Sequence, residues 1–106
     1  MNIRDLTFTP TSFEAFADTH GLILELRERP CPLTSWLPRY YASFKDVEVS
    51  ELGTLVSVHG DGETPEAAIR EYARRLLGQR IVLSAYTPTR REIQCPNEWL
   101  ASEVAR

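Results

Sequence analysis

One segment with clear start and stop signals restricts the fold most. Pro65 follows Thr64, a good N-cap residue, and fits the first helical position because its missing N–H has no intrahelical partner there. Gly78 is a typical helix end. These signals predict a helix over 65–77 whose apolar side must pack against something. That side consists of Ala68, Ile69, Tyr72, Ala73 and Leu76.

A second helix is predicted over 11–20. Thr11 and Glu14 have the spacing of a capping box, in which each side chain satisfies the backbone N–H of the other. Gly21 is suited to the left-handed conformation that commonly ends a helix. Four residues follow at helical spacing on one face: Phe13, Phe16, Ala17 and His20.

Several stretches between and after the helices have side chains that alternate between two faces, as in a β-strand. They predict strands over 22–26, 39–49, 55–58, 81–86 and 91–95. A proline-containing turn over 87–90 joins the last two strands, and a proline-rich loop covers 30–38. Residues 3–7 are a candidate edge strand, and 98–105 a candidate short helix.

The predicted order is α-β-β-β-α-β-β, in which helices are segregated from runs of strands. It favours a single α+β domain over 1–106, with a mainly antiparallel sheet and two principal helices on one face. We expect its core to contain the following apolar side chains: Phe13, Phe16, Leu24, Phe44, Val56, Val58, Ile69, Tyr72, Leu76, Ile81 and Leu83.

Composition excludes several classes of protein. The chain has 106 residues, of which 42% are hydrophobic and 25% charged, and its net charge is −3. A negative chain is not coated with basic residues for nucleic acid. No apolar run exceeds three residues, so we expect no membrane span. The first residues have no apolar core of a secretory signal, which favours the cytoplasm and free thiols at Cys31 and Cys95.

Residues with metal or catalytic chemistry are few and scattered. His20, Cys31, His59 and Cys95 include no closely spaced pair of the kind that zinc sites use. No known catalytic motif occurs. We therefore predict no metal, no cofactor and no enzymatic activity.

Residues 59–63 read His-Gly-Asp-Gly-Glu and run into the second helix. A glycine-rich stretch there could hold an ion or a phosphate at the helix N-terminus. However, Asp61 and Glu63 would repel phosphate, and calcium needs more oxygen ligands. The favoured alternative is a glycine turn whose acidic groups complement the helix dipole.

Charge is unevenly distributed along the chain. Residues 1–66 contain five basic and eleven acidic side chains, whereas 67–106 contain seven basic and four acidic ones. We expect Arg74, Arg75, Arg90 and Arg91 to form the contact surface for a partner, with the last two at the rim of a hairpin. Aromatic side chains on an open sheet face could stack on bases while arginines hold phosphates, which would suit a nucleic acid. The aromatic and basic residues concerned are Trp36, Arg39, Tyr40, Tyr41, Arg74, Arg75, Tyr86, Arg90 and Arg91.

Two resemblances bear on function. Residues 40–44, 54–58 and 62–69 resemble the sheet-and-helix unit of HicB-type antitoxins, which implies a shape related to the double-stranded RNA-binding fold. Residues 60–96 are similar to the recurrent core of small phage and prophage proteins: a glycine turn, a Thr-Pro-Glu helix start and a hairpin that ends in Arg-x-Glu-Ile.

The second resemblance implies an accessory protein of a phage or prophage that acts in the cytoplasm of the bacterial host. Such a protein would bind another macromolecule, most readily a protein, without enzymatic activity. The first resemblance implies the alternative, a nucleic-acid-binding module.

Overall fold

The first helix, α1 (Phe13–His20), has its N-cap one residue later than predicted. The computed structural model describes residues 11–30 and 37–100. In it the Ser12 hydroxyl accepts the Ala15 N–H at 3.1 Å, so Ser12 is the N-cap. The predicted capping box at Thr11 is wrong, because the Thr11 hydroxyl donates to the Ser12 carbonyl instead. Gly21 ends the helix with a φ of 67°, as predicted.

The second helix, α2 (Pro65–Leu76), confirms its sequence signals. Thr64 is the N-cap and accepts the Ala67 N–H at 3.1 Å, while the proline occupies the first turn. Gly78 lies just beyond the end of the helix with a φ of 71°.

Seven strands among the described residues form two antiparallel sheets. They are β1 (Leu24–Glu28), β2 (Tyr40–Phe44), β3 (Val47–Glu51), β4 (Thr54–Val56), β5 (Gly60–Gly62), β6 (Arg80–Leu83) and β7 (Arg91–Gln94). One sheet has the order β1-β2-β5 and the other β4-β3-β6-β7. The α+β class is confirmed, and so is the order of a helix, a run of strands, a second helix and two final strands; the run between the helices has five strands.

The predicted strand over 39–49 is divided between the two sheets. The bend between β2 and β3 consists of Lys45 and Asp46, and Asp46 has a φ of 59°. Each side of the bend is attached to a different sheet: the Lys45 N–H donates to the Ile23 carbonyl at 2.8 Å, and the Ser84 N–H donates to the Asp46 carbonyl at 2.9 Å. Aspartate is one of the few non-glycine residues that accept this left-handed conformation, so the chain can change sheets here.

Helix α2 packs on the three-stranded sheet at unusually close range. A Cβ atom added to Gly60 would lie 2.6 Å from Tyr72 Cα, and one added to Gly62 would lie 2.6 Å from the Ala67 carbonyl carbon. These glycines therefore belong to strand β5 and allow a helix backbone to rest on a strand. The predicted glycine turn at 59–63 is therefore wrong: Gly60–Gly62 is a strand paired with β2, and the close approach of the helix accounts for its glycines.

A single core cluster joins the helices to both sheets. Six of the predicted core residues are buried in it, and Leu24, Val58, Ile69 and Leu83 pack against it while half-buried. Val56 is half-buried and lies outside the cluster, because β4 is a short strand at a sheet edge. The buried members of the cluster are Phe13, Phe16, Leu22, Ala42, Phe44, Val47, Val49, Ala68, Tyr72, Ala73, Leu76, Ile81, Ile93 and Cys95.

The last described residues return to the first helix. Leu100 forms a parallel bridge with Ser12, and the Trp99 indole donates to the Ala73 carbonyl at 2.7 Å. Residues 98–100 are not helical. The remainder of the predicted helix over 98–105, the candidate strand over 3–7 and most of the loop over 30–38 lie outside the described residues. Within the described ranges, no helix is long and apolar enough to cross a membrane.

Candidate functional site

Two of the four predicted contact arginines lie in the last turn of α2. Arg74 Nε is 3.1 Å and Arg75 Nε 2.9 Å from carboxylate oxygens of Glu71. Hydrogen bonds from Arg74 and then Arg75 lower the pKa of Glu71 below its usual value. Both arginines are exposed, yet one carboxylate partly neutralises them.

Arg90 pairs within its own hairpin. Its guanidinium lies 3.1 Å from one Glu92 carboxylate oxygen, and that of Arg80 lies 3.4 Å from the other. These hydrogen bonds, first from Arg90 and then from Arg80, lower the pKa of Glu92. The pattern repeats that of α2, with one carboxylate between two arginines.

Arg91 contacts the end of α1. Its guanidinium donates to the His20 carbonyl at 2.8 Å, and thus to a carbonyl that the helix itself leaves free. Burial and then the charge of Arg91 lower the pKa of His20. Arg91 therefore attaches the β7 strand to the helix. The four predicted arginines thus fall into three separate groups: Arg74 with Arg75, Arg90, and Arg91.

The loop between β6 and β7 carries the most exposed aromatic side chain among residues 11–30 and 37–100. Tyr86 is 84% exposed. The turn predicted over 87–90 is confirmed by the Arg90 N–H, which donates to the Thr87 carbonyl at 3.2 Å. Ser84, at the start of the loop, has a φ of 55°. The loop thus holds an aromatic ring in solvent on a hydrogen-bonded support.

An open groove of about 480 Å³ lies beside this loop, and we refer to it as the loop groove. It brings together the bend after β2, the end of β4 and the β6–β7 loop. Its lining residues are Asp46, Val47, Glu48, Ser57, Ser84, Ala85, Tyr86 and Thr87. Among them only Tyr86 was a predicted binding candidate, because the others come from segments whose proximity depends on the sheet topology.

A second cluster occupies the outer side of the three-stranded sheet, and we refer to it as the Arg29 cluster. Arg29 donates to the Asp61 carboxylate at 2.8 Å and to the Pro38 carbonyl at 2.6 Å. Its guanidinium carbon also lies 4.6 Å from the centre of the Tyr41 ring. His59 meets the same ring edge-on and has Nε2 3.4 Å from the Asp61 carboxylate.

The Arg29 cluster has a structural effect. It ties the end of the loop over 30–38 to β5 through one guanidinium. The same guanidinium covers a face of Tyr41, so that face is not free to stack on a base.

Cys95, the cysteine within the described residues, is unsuited to act as a nucleophile. Cys95 is buried, and burial raises the pKa of its thiol to about 12. The thiol is therefore protonated near neutral pH, when it is a weak nucleophile. Cys31 lies outside the described residues. Among those that are described, no three His, Cys, Asp or Glu side chains converge as a metal site would require.

Comparison with known proteins gave no relatives: no family model matches the sequence, and no curated protein or solved structure is significantly similar to it.

Proposed function

We propose that the chain is a non-enzymatic accessory protein of phage or prophage type that acts by binding another protein through its β6–β7 loop. The observation that carries this proposal is Tyr86, which is 84% exposed beside the loop groove. Tyrosine is enriched among the residues that dominate protein–protein binding energies. It offers a large contact area at a low cost in side-chain entropy.

The backbone around Tyr86 supports a contact role. Ser84 and Asp46 both have positive φ values and are joined by a backbone hydrogen bond of 2.9 Å. Such conformations cost free energy at non-glycine residues and concentrate at functional sites. A loop held in this way loses little conformational freedom when a partner binds.

The charge pattern favours a protein over a nucleic acid. Phosphate binding relies on cationic side chains that release counterions from the nucleic acid. Arg74, Arg75 and Arg90 instead share carboxylates of this chain, and the net charge is −3. The nucleic-acid-binding module therefore stands as the second candidate.

The phage or prophage class rests on the resemblance of residues 60–96 to small proteins of that kind. The proposed location in the bacterial cytoplasm rests on the same resemblance. A protein of this class would meet its partner inside the host cell, so the partner should be sought in host cell lysate.

A capture experiment with two matched variants tests the proposal. Tyr86→Ala removes the exposed ring, whereas Leu52→Asn removes an exposed apolar side chain from the turn between β3 and β4. We expect the unsubstituted protein and the Leu52→Asn variant to retain the same host protein, and Tyr86→Ala to lose it. Equal capture by all three proteins, or capture of nothing above background, would refute the proposal.

A parallel titration with labelled duplex RNA, duplex DNA and single strands separates the two candidates. We expect no binding at tens of micromolar. Binding that weakens steeply as salt is added would favour the nucleic-acid module instead.

A further inference from the structure

We infer that the loop groove receives a cationic side chain, arginine or lysine, from a basic segment of the partner protein. This inference rests on the proposed function and specifies which chemistry the partner presents. It is carried by the charge, the aromatic content and the size of the groove.

The charge of the groove is negative. Asp46 and Glu48 are acidic residues of its lining, and none of its lining residues is basic. No cation of the described ranges, 11–30 and 37–100, forms an ion pair with either carboxylate. This distinguishes them from Glu71 and Glu92, each of which lies between two arginines of the chain itself.

The aromatic and polar lining suits the same occupant. A guanidinium or ammonium group is attracted to the face of a tyrosine ring, and Tyr86 lines the groove while most of its surface faces solvent. Ser57 lines another side of the groove, and a serine side chain has a hydroxyl that can accept a hydrogen bond. Carboxylates, a ring face and a hydroxyl together provide what a long cationic side chain can bind.

The volume of the groove supports a side chain rather than a bare ion. At about 480 Å³ it falls within the range of ligand-binding clefts, roughly 300–1,000 Å³. Calcium takes about six to eight oxygen ligands, more than the four oxygens of two carboxylates. An anionic occupant would be repelled by those carboxylates.

A peptide titration monitored by ¹H–¹⁵N NMR tests the inference. The probe is a short, acetylated and amidated peptide in which arginine alternates with glycine. Its control is the same peptide with citrulline in place of arginine, which keeps the shape and removes the charge. We expect saturable shifts of the backbone amides of the groove residues with the arginine peptide, and none with the citrulline peptide.

A double variant, Asp46→Asn with Glu48→Gln, provides the matched protein control. Asparagine tolerates the positive φ at position 46, and both changes preserve side-chain size while removing charge. We expect a Kd for the arginine peptide at least about fivefold weaker, as two partly exposed charge contacts would give. An unchanged melting temperature would confirm that the loss is local.

Three results would overturn the inference: no saturable shift in the unsubstituted protein, equal binding by the double variant, or shifts located away from the groove. The outcome is separable from that of the capture experiment. If the peptide fails to bind but capture still requires Tyr86, only the inference fails. If the peptide binds as described but capture does not depend on Tyr86, the proposed function fails.

Discussion

At the scale of single residues, Gly62 sets the distance between α2 and the sheet. Its missing side chain leaves room for the first turn of the helix, and no flexible side chain could move aside, because the nearest atoms include backbone of Ala67 and Ala68. Helix position here depends on backbone-to-backbone packing. The tolerance for added volume is therefore small.

Replacing Gly62 with alanine should lower the free energy of unfolding by about 1–3 kcal/mol, the usual range for overpacking. Denaturant unfolding monitored by circular dichroism measures the change. Gly21→Asn is the control, because asparagine accepts the positive φ there and an added Cβ would have no atom within 4 Å. A Gly62→Ala variant as stable as Gly21→Asn would contradict the close packing.

Two buried groups predict how stability changes with pH. Burial raises the pKa of Tyr72 from 10.0 to about 12 and that of Cys95 from 9.0 to about 12. At a pH between the unfolded and the folded pKa of either group, the unfolded chain releases a proton that the folded chain keeps. The stability associated with these groups is therefore complete below pH 9 and is lost as the pH rises toward 12.

We expect the free energy of unfolding to fall from about pH 9 upward, by at most about 1.4 kcal/mol per pH unit for each group. Urea unfolding at several alkaline pH values gives the slope. The Cys95→Ala variant should show a shallower fall between pH 9 and 10, whatever its stability at neutral pH. An identical slope in both proteins would show that the thiol ionises normally in the folded state.

At the scale of elements, the β3–β4 hairpin contains an unusual turn. Leu52 and Gly53 have φ values of 50° and 83°, as in the type I′ turns that match the twist of paired strands. Asparagine followed by glycine is the preferred sequence for that turn. A leucine in the left-handed region is strained, and here its side chain is fully exposed.

Leu52→Asn should therefore raise the free energy of unfolding by about 0.5–1 kcal/mol. Thermal unfolding of the two proteins measures the gain. Leu52→Ala removes the same apolar side chain but retains the strain, so it should bring no comparable gain. Equal melting temperatures for all three proteins would mean that the turn stores no strain.

The elements also show how far the sequence alone can predict this fold. Helix α2 and its end were predictable because Thr64, Pro65 and Gly78 act through local backbone geometry. The bend at Asp46 was not, because its positive φ is stabilised by hydrogen bonds to partners far away along the chain. The loop groove was missed for the same reason: its carboxylates and Tyr86 meet only when β3 pairs with β6.

At the scale of the whole molecule, Arg91 connects parts of the chain that are distant in sequence. It was expected to be free for a partner, but its guanidinium donates to the His20 carbonyl. The Arg91 guanidinium thus places a positive charge at the negative, C-terminal end of the α1 dipole. His20 itself, whose pKa is lowered, is less readily protonated than a free histidine.

Arg91→Gln should lower the melting temperature by a few degrees, the shift expected for about 1 kcal/mol in a domain of this size. It should also raise the pKa of His20, because the second cause of its depression is removed. Calorimetry and an NMR titration of the imidazole measure the two effects. Arg90→Gln, which affects only the pairing with Glu92, should leave the His20 pKa unchanged; a shift there would show that Arg91 acts through general surface charge.

The loop groove also lies where the chain twice passes from one sheet to the other. Asp46 belongs to the passage between β2 and β3, and Ser57 to that between β4 and β5. An occupant of the groove would contact both of these connecting segments. Local opening of either sheet would then require that the occupant be released. By linkage, such an occupant stabilises the folded chain by RT ln(1 + [L]/Kd). Backbone amides in both sheets would then exchange with solvent more slowly in the complex, although most of them lie far from the bound group.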